Sequence, residues 1–241
     1  MRLAAVWHDV ECGGYTADLA VWEELADQVD GPVLELGCGT GRVALHLARR
    51  DSEVWAVDAD PSLLDALTAR AVAERLAIRA VCADVRALAL DRDFDLIVAP
   101  MQILQMLGGP DERRPALQCA AAHLAPVGRV AAAIVDPAAA LRGGPGAALP
   151  DVRERDGWVY SSLPVVRIGT DGGGMEVRRL RQWVSPDGSL SEEEHTDRLD
   201  ALDAPTLEAE AASVGLGPAG RLEIRPGDDH VGSTVVILGK A

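Results

Sequence analysis

The apolar run Val33-Leu34-Glu35-Leu36 stops at Gly37-Cys38-Gly39-Thr40-Gly41, and apolar residues resume with helical spacing from Val43 to Arg50. A strand that passes through a glycine turn into a helix needs a neighbouring strand running in the same direction, because the helix carries the chain back along the sheet. The following segments repeat that order. Glu53 to Val57 reads as strand and Pro61 to Leu76 as helix; Ile78 to Cys82 and Phe94 to Ala99 read as strands; Asp111 to Leu124 reads as helix and Val127 to Val135 as strand. Residues 31–136 are therefore expected to form a doubly wound α/β half with a mostly parallel sheet.

The flanks follow other rhythms. Thr16 to Gln28 has the spacing of an amphipathic helix and ends at Asp30-Gly31-Pro32. Ala138 to Pro150 is rich in Ala, Gly and Pro and reads as a loop. Beyond it, Trp158 to Ile168, Met175 to Ser185 and Leu190 to Leu199 alternate in the rhythm of strands, with turns at Asp171-Gly172-Gly173-Gly174 and Pro186-Asp187-Gly188. A three-strand antiparallel meander is expected there. Thr206 to Val214 then reads as a helix stopped by Gly215, followed by strands at Gly217 to Ile224 and Val231 to Leu238.

A chain of 241 residues buries enough surface to need no staple. The expected organisation is one domain over 1–241: an N-terminal helix or lid in 1–30, the α/β half in 31–136, the inserted meander in 151–200, and a final helix with two strands in 201–241. The net charge is −15, from 23 basic and 38 acidic residues, which repels phosphate backbones and anionic membrane surfaces. Nucleic acid and membrane are therefore not expected partners. No apolar run reaches the roughly 18 to 20 residues of a bilayer span, and no basic-then-apolar leader opens the sequence, so the cytoplasm is the expected compartment. Cys12, Cys38, Cys82 and Cys119 lie far apart with no histidine at ligand spacing, so neither disulfide nor metal site is expected.

A turn without Cβ atoms lets a ligand lie on the backbone. Asp58, at the end of the next strand, is placed to accept hydrogen bonds from a ribose diol, which suits an adenosine ligand. The dinucleotide pattern G-x-G-x-x-G is not met, because the third glycine is displaced by one and Arg42 follows it. Glu35 at the start of the turn would repel a pyrophosphate and suits a ligand whose near end carries an ammonium or sulfonium.

These residues resemble a known family. Val33 to Gly41, the acid Asp58, Ala83-Asp84-Val85, Phe94-Asp95-Leu96-Ile97 and Leu124-Ala125-Pro126-Val127-Gly128-Arg129 occur in the order found in class I S-adenosylmethionine-dependent methyltransferases. The resemblance covers about residues 31–135. It implies a Rossmann-like seven-stranded sheet whose last strand is antiparallel, with the meander inserted after the fifth strand. It implies S-adenosylmethionine as cofactor, S-adenosylhomocysteine as product, and a small-molecule acceptor methylated at O, N or C. It further implies that Gly37, Cys38, Gly39 and Gly41 form the bed for the methionine part and ribose, and that Glu35 orients the methionine amino group. Asp58 would hold the ribose, Ala59, Asp84 and Val85 would meet the adenine, and Ala99 and Met101 would lie near the methyl donor. Ala99-Pro100-Met101-Gln102 departs from the N/D-P-P-Y/F form that accompanies methylation of adenine or glutamine amides. Alternatives left open are a protein that binds the cofactor without transfer and an NAD-dependent reductase.

Methyl transfer from a sulfonium needs a base only when the acceptor must lose a proton, and histidine titrates in the useful range. His8, in Trp7-His8-Asp9, and His195, on the third meander strand, are the candidates; His46, His123 and His230 read as surface, packing or turn residues. Alternation puts Val177, Arg179, Arg181 and Trp183 on one face, where the arginines either clamp an acceptor carboxylate or pair with the neighbouring acidic strand. The chain holds only Trp 5, Tyr 2 and Phe 1, and most of these lie outside the α/β half. Trp7, Tyr15, Arg181 and Trp183 are accordingly the candidate acceptor contacts.

Overall fold

The computed structural model describes residues 3–137, 149–168, 174–227 and 230–241. Its elements are α1 (Leu3–Glu11), α2 (Leu19–Ala26), β1 (Val33–Leu36), α3 (Arg42–Ala48), β2 (Val54–Asp58), α4 (Pro61–Glu74), β3 (Ile78–Cys82) and β4 (Phe94–Ala99). There follow α5 (Pro110–Ala122), β5 (Leu124–Ile134), β6 (Asp151–Arg155), β7 (Trp158–Ile168), β8 (Met175–Val184), β9 (Leu190–Leu199), α6 (Ala204–Ala212), β10 (Leu216–Ile224) and β11 (Ser233–Lys240).

The larger sheet has seven strands in the order β10-β11-β5-β4-β1-β2-β3. Strands β1 to β5 run parallel to one another, and β11 runs antiparallel between β5 and β10. Both faces are apolar, so the period of two sorts residues into two cores rather than into inside and outside. Leu34, Leu36, Ile97, Ala99 and Ala132 meet α5 and α6 on one side. Val33, Leu96, Val98, Ala131 and Ala133 meet α2, α3 and α4 on the other. Glu35 falls on the second face by the same alternation and is buried there.

The smaller sheet, β6-β7-β8-β9, is antiparallel throughout. It has four strands rather than the expected three. The added strand β6 is almost wholly exposed and charged, so its side chains carry no apolar rhythm. Its hairpin with β7 closes on Asp156-Gly157, with φ 54° and 78°, the two positive values of a type I′ turn. The expected loop at 138–150 lies mainly outside the described residues, as does most of the Asp171 to Gly174 turn.

Three further expectations need correction. Residues 3–11 form a helix that the sequence reading did not announce: it is only nine residues long, and its buried face of Ala5, Val6, Trp7, Asp9 and Val10 includes a charged side chain. His8 thus sits within a helix, not ahead of the first one. The second helix is shorter than Thr16 to Gln28, since Asp18 turns its carboxylate to Arg42 and to the Trp22 indole instead of continuing a helical turn. Strand β5 begins at Leu124 rather than Val127, with the pairing to β4 interrupted between Phe94 and Leu96 so that residues 125–128 bulge within the strand.

The end of β9 is stitched to the main sheet by groups with no apolar signal. Gln105 is fully buried; its amide donates to the carbonyls of Val135 and Asp200 at 3.0 and 2.9 Å and its oxygen accepts from the Val135 N–H at 2.8 Å. Arg113 on α5 is buried between Asp200, at 2.6 Å, and Glu210 of α6, which it grips with both nitrogens at 2.8 and 2.9 Å. Removing one side of such a cluster strands carboxylates that the fold has drawn out of water. Arg113→Met is expected to lower unfolding free energy by about 3 kcal/mol, measured by urea denaturation, with Arg113→Lys intermediate because it loses the two-pronged geometry.

Candidate functional site

The glycine turn follows β1 beside the point where strand order reverses, with β4 on one side and β2 on the other, the position where doubly wound sheets open a crevice. The carboxylate of Asp58, at the end of β2, accepts from the Gly39 N–H at 2.8 Å and from the Asp60 N–H at 2.9 Å. It therefore braces the turn as well as facing the groove.

A groove runs along these strand ends. Gly37, Asp58, Ala59, Asp84 and Val85, all singled out from sequence, line it together. Ala83, Arg86, Ile103 and Leu107 complete its wall. Ile103 and Leu107, on a 3-10 turn after β4, were missed because a short apolar pair in a connecting loop carries no periodic signal. Gly37 has φ 66°, and a Cβ there would lie 2.8 Å from the Ile103 side chain, so any larger residue would invade the wall. Asp84 caps a 3-10 turn and is held by the Arg86 guanidinium, whose hydrogen bonds pull the carboxyl down to about 2. It is an anion at every working pH.

Glu35 is the most unusual group near the turn. Its Oε2 is buried with no hydrogen-bond partner among the described residues. Burial outweighs the nearby Arg42 charge and pushes its carboxyl up to about 8. Cys38 beside it is buried, and its thiol is pushed far above the ordinary range by burial. Ala99 is buried at the end of β4, and Met101 and Gln102 follow with φ 52° and 59°, a left-handed pair that non-glycine residues adopt at a cost.

Over the turn lies α1. His8 Nε2 stands 2.0 Å from where a Cβ on Gly39 would be, so the imidazole rests directly on that glycine. Its Nδ1 is 3.0 Å from Thr40 Oγ1, and burial lowers its pKa despite the charges of Asp9 and Asp58. The other histidine candidate, His195, is 38% exposed and bonds Asp197 at 3.1 Å on its own strand, away from the turn.

The arginine face of β8 has a partner that neither sequence reading named. Arg181 grips Glu11 of α1 with two hydrogen bonds of 2.7 and 2.8 Å, Ser162 adds a third, and the Arg179 guanidinium lies at 4.0 Å. Burial raises the Glu11 carboxyl pKa, but these groups outweigh it and the net shift is downward. Pairing with Glu193 across the sheet is looser, at 3.7 Å. Trp7 packs edge-on against Tyr160 and Trp183 under the Arg181 guanidinium. Tyr15 lies apart, beneath Arg42 and beside His230.

The sheet order, the groove at the strand ends and the braced glycine turn define the class I methyltransferase fold. Residues 33–128 match the methyltransferase domain family. The cypemycin N-terminal methyltransferase of Streptomyces sp is 33% identical over 129 residues, 53% of this chain and 52% of that protein. A ubiquinone biosynthesis O-methyltransferase of Coxiella burnetii is 36% identical over 90 residues, 37% of each. The matched stretches thus span about half the length of these curated relatives, or less. Among solved structures, a sugar N-methyltransferase from Streptoalloteichus sp superposes with TM-score 0.75 at 18% identity, over 100% of this chain and 94% of that one. A S-adenosylmethionine-dependent methyltransferase from Clostridium acetobutylicum gives 0.72 at 16% identity, over 99% and 98%.

The buried acid makes a pH prediction. Glu35 ionises at its ordinary 4.5 when unfolded and near 8 when folded, so the folded chain holds an extra proton between those values. Its contribution to stability is complete below about pH 4.5 and is lost as pH rises through about 8. Glu35→Gln removes that titration, so the gap in urea midpoint between Glu35→Gln and the parent should move in favour of Glu35→Gln from pH 5 to pH 8.

Proposed function

We propose that this chain transfers the methyl group of S-adenosylmethionine to an O, N or C nucleophile of a small-molecule acceptor, releasing S-adenosylhomocysteine. The observation that carries the reading is the unpartnered, buried Glu35 oxygen behind a glycine turn that Asp58 braces at the head of the groove. A ligand with an ammonium end, a ribose and a planar base matches those groups in that order. The bound cofactor supplies a methyl already activated on sulfur, and the protein's task is alignment.

In this reading Glu35, Gly37, Cys38, Gly39 and Gly41 receive the methionine end, Asp58 the ribose, and Ala59, Asp84 and Val85 the adenine. Ala99 and Met101 border the transferred methyl. Of the histidines, His8 is favoured over His195 as the proton acceptor, on its position at Gly39. Trp7, Trp183 and Arg181 shape the roof of the acceptor space through their packing with Glu11 and Tyr160, rather than as a free clamp, and Tyr15 sits at its margin. The chain works as one unit, with α1 as lid and the four-stranded sheet as roof. The names of the relatives, an N-terminal methyltransferase and a ubiquinone biosynthesis O-methyltransferase, support an amine or a hydroxyl as the methylated group. Among the described residues no helix is long and apolar enough to cross a membrane. The acidic charge speaks against nucleic acid as partner, and four free thiols fit the cytoplasm.

Calorimetric titration with S-adenosylmethionine, S-adenosylhomocysteine, NADH and NADPH tests the assignment: only the first two should bind. Asp58→Ala should weaken S-adenosylmethionine binding by about 1.5 to 3 kcal/mol, since it removes ribose acceptors and the brace on Gly39 together. Unchanged affinity would refute the contact.

A further inference from the structure

We infer that Asp9, Thr40 and His8 form a relay that fixes the His8 proton on Nδ1 and leaves Nε2 open as a proton acceptor on the glycine turn. Thr40 Oγ1 lies 2.8 Å from Asp9 Oδ1 and 3.0 Å from His8 Nδ1, so one hydroxyl serves two neighbours. A hydroxyl has a single proton to give. Asp9 is buried and ion-paired with Arg70, which also donates to the Thr40 carbonyl at 3.1 Å, so its carboxylate is an acceptor only. The Thr40 proton therefore goes to Asp9. The contact with His8 is then a hydrogen bond only if Nδ1–H donates to Thr40 Oγ1; the reverse arrangement sets two acceptors against each other in a buried site.

A neutral imidazole carries one N–H, so Nε2 holds a lone pair, and it has no hydrogen-bond partner among the described residues. The charged groups around the ring are Asp9 of α1, Asp58 of β2, Arg42 of α3 and Arg70 of α4, two of each sign. Burial prevails over them and lowers the ring's pKa, which favours the neutral form.

The relay narrows the acceptor class. This step rests on the methyltransferase reading: a lone pair of the acceptor's amine or hydroxyl forms the new bond to the methyl, the S–CH3 bond breaks with its electron pair passing to sulfur, and the N–H or O–H bond breaks with its pair left on the nucleophile and its proton passing to His8 Nε2. Asp9, through Thr40, stabilises the imidazolium that results. Asp9 and Thr40 are positioning residues in this scheme.

The test needs neither cofactor nor acceptor. The full chain, labelled with 15N-histidine, is examined by long-range 1H–15N correlation at pH 7, the His8 ring being identified by its loss in His8→Gln. We expect a protonated Nδ1 and an unprotonated Nε2, the tautomer that free histidine disfavours. Thr40→Val should shift the ring to the Nε2–H form, and Thr40→Ser should restore it. A protonated Nε2 in the parent, or an unchanged tautomer in folded Thr40→Val, would overturn the relay. If Thr40→Val does not fold, the parent spectrum decides alone. Absence of S-adenosylmethionine binding in the calorimetry would instead remove the methyltransferase reading while leaving the tautomer assignment standing, so the two failures are separable.

Discussion

The hydrogen bond from the Gly39 N–H to the Asp58 carboxylate ties the turn after β1 to the end of β2, and the rest of the site is arranged around it. Three glycines leave that turn without side chains to wedge it into place, and Gly37 and Gly39 both take positive φ. The carboxylate supplies what the missing side chains cannot. Once the turn is held, Thr40 is presented to α1, Gly39 offers a flat seat to His8, and the groove opens from Gly37 toward Asp84.

Helix α1 then joins the two sheets. Through Thr40 and Arg70 it is fastened to the glycine turn and α4, and through Glu11 to Ser162 and Arg181 of the smaller sheet. At each latch the carboxylate, Asp9 or Glu11, is drawn from water and paired with an arginine and a hydroxyl, which is the arrangement that makes a buried ion pair tolerable. The indole of Trp7 fills the space between the latches, against Tyr160 and Trp183. The smaller sheet and the glycine turn therefore share one helix, and Arg181 of β8, which looks like part of a ligand clamp on the strand alone, is paired with Glu11 of that helix.

Much of this architecture was legible in the residues. The alternation of strands and helices from Val33 to Ile134 is visible because a two-sided apolar sheet forces long runs of Val, Leu, Ile and Ala between polar breaks. The groove residues Gly37, Asp58, Ala59, Asp84 and Val85 were legible for another reason: each stands at the end of a strand or within three residues of it, and strand ends in such sheets converge. Strand β6 left only the Asp156-Gly157 turn as its signature, since an exposed edge strand pays no penalty for charge on both faces. Helix α1 left even less, because it is short and its buried face carries the charged Asp9 while the apolar Leu3 is exposed. Gln105 and Arg113 carry no pattern, as their partners lie about 30 to 100 positions away in the chain.

The sequence by itself determined the alternation of strands and helices from Val33 to Ile134, the class of sheet and which residue types stand at its crevice, because these follow from local periodicity and from the glycine turn between Leu36 and Arg42. Only the tertiary structure decided what each charged side chain does. Whether Arg181 meets a ligand or Glu11, whether Glu35 is an anion or a buried acid, and which nitrogen of His8 bears the proton depend on distances between segments far apart in the chain. Electrostatic roles are set by desolvation and by neighbours a few ångströms away, and no spacing along the chain encodes those.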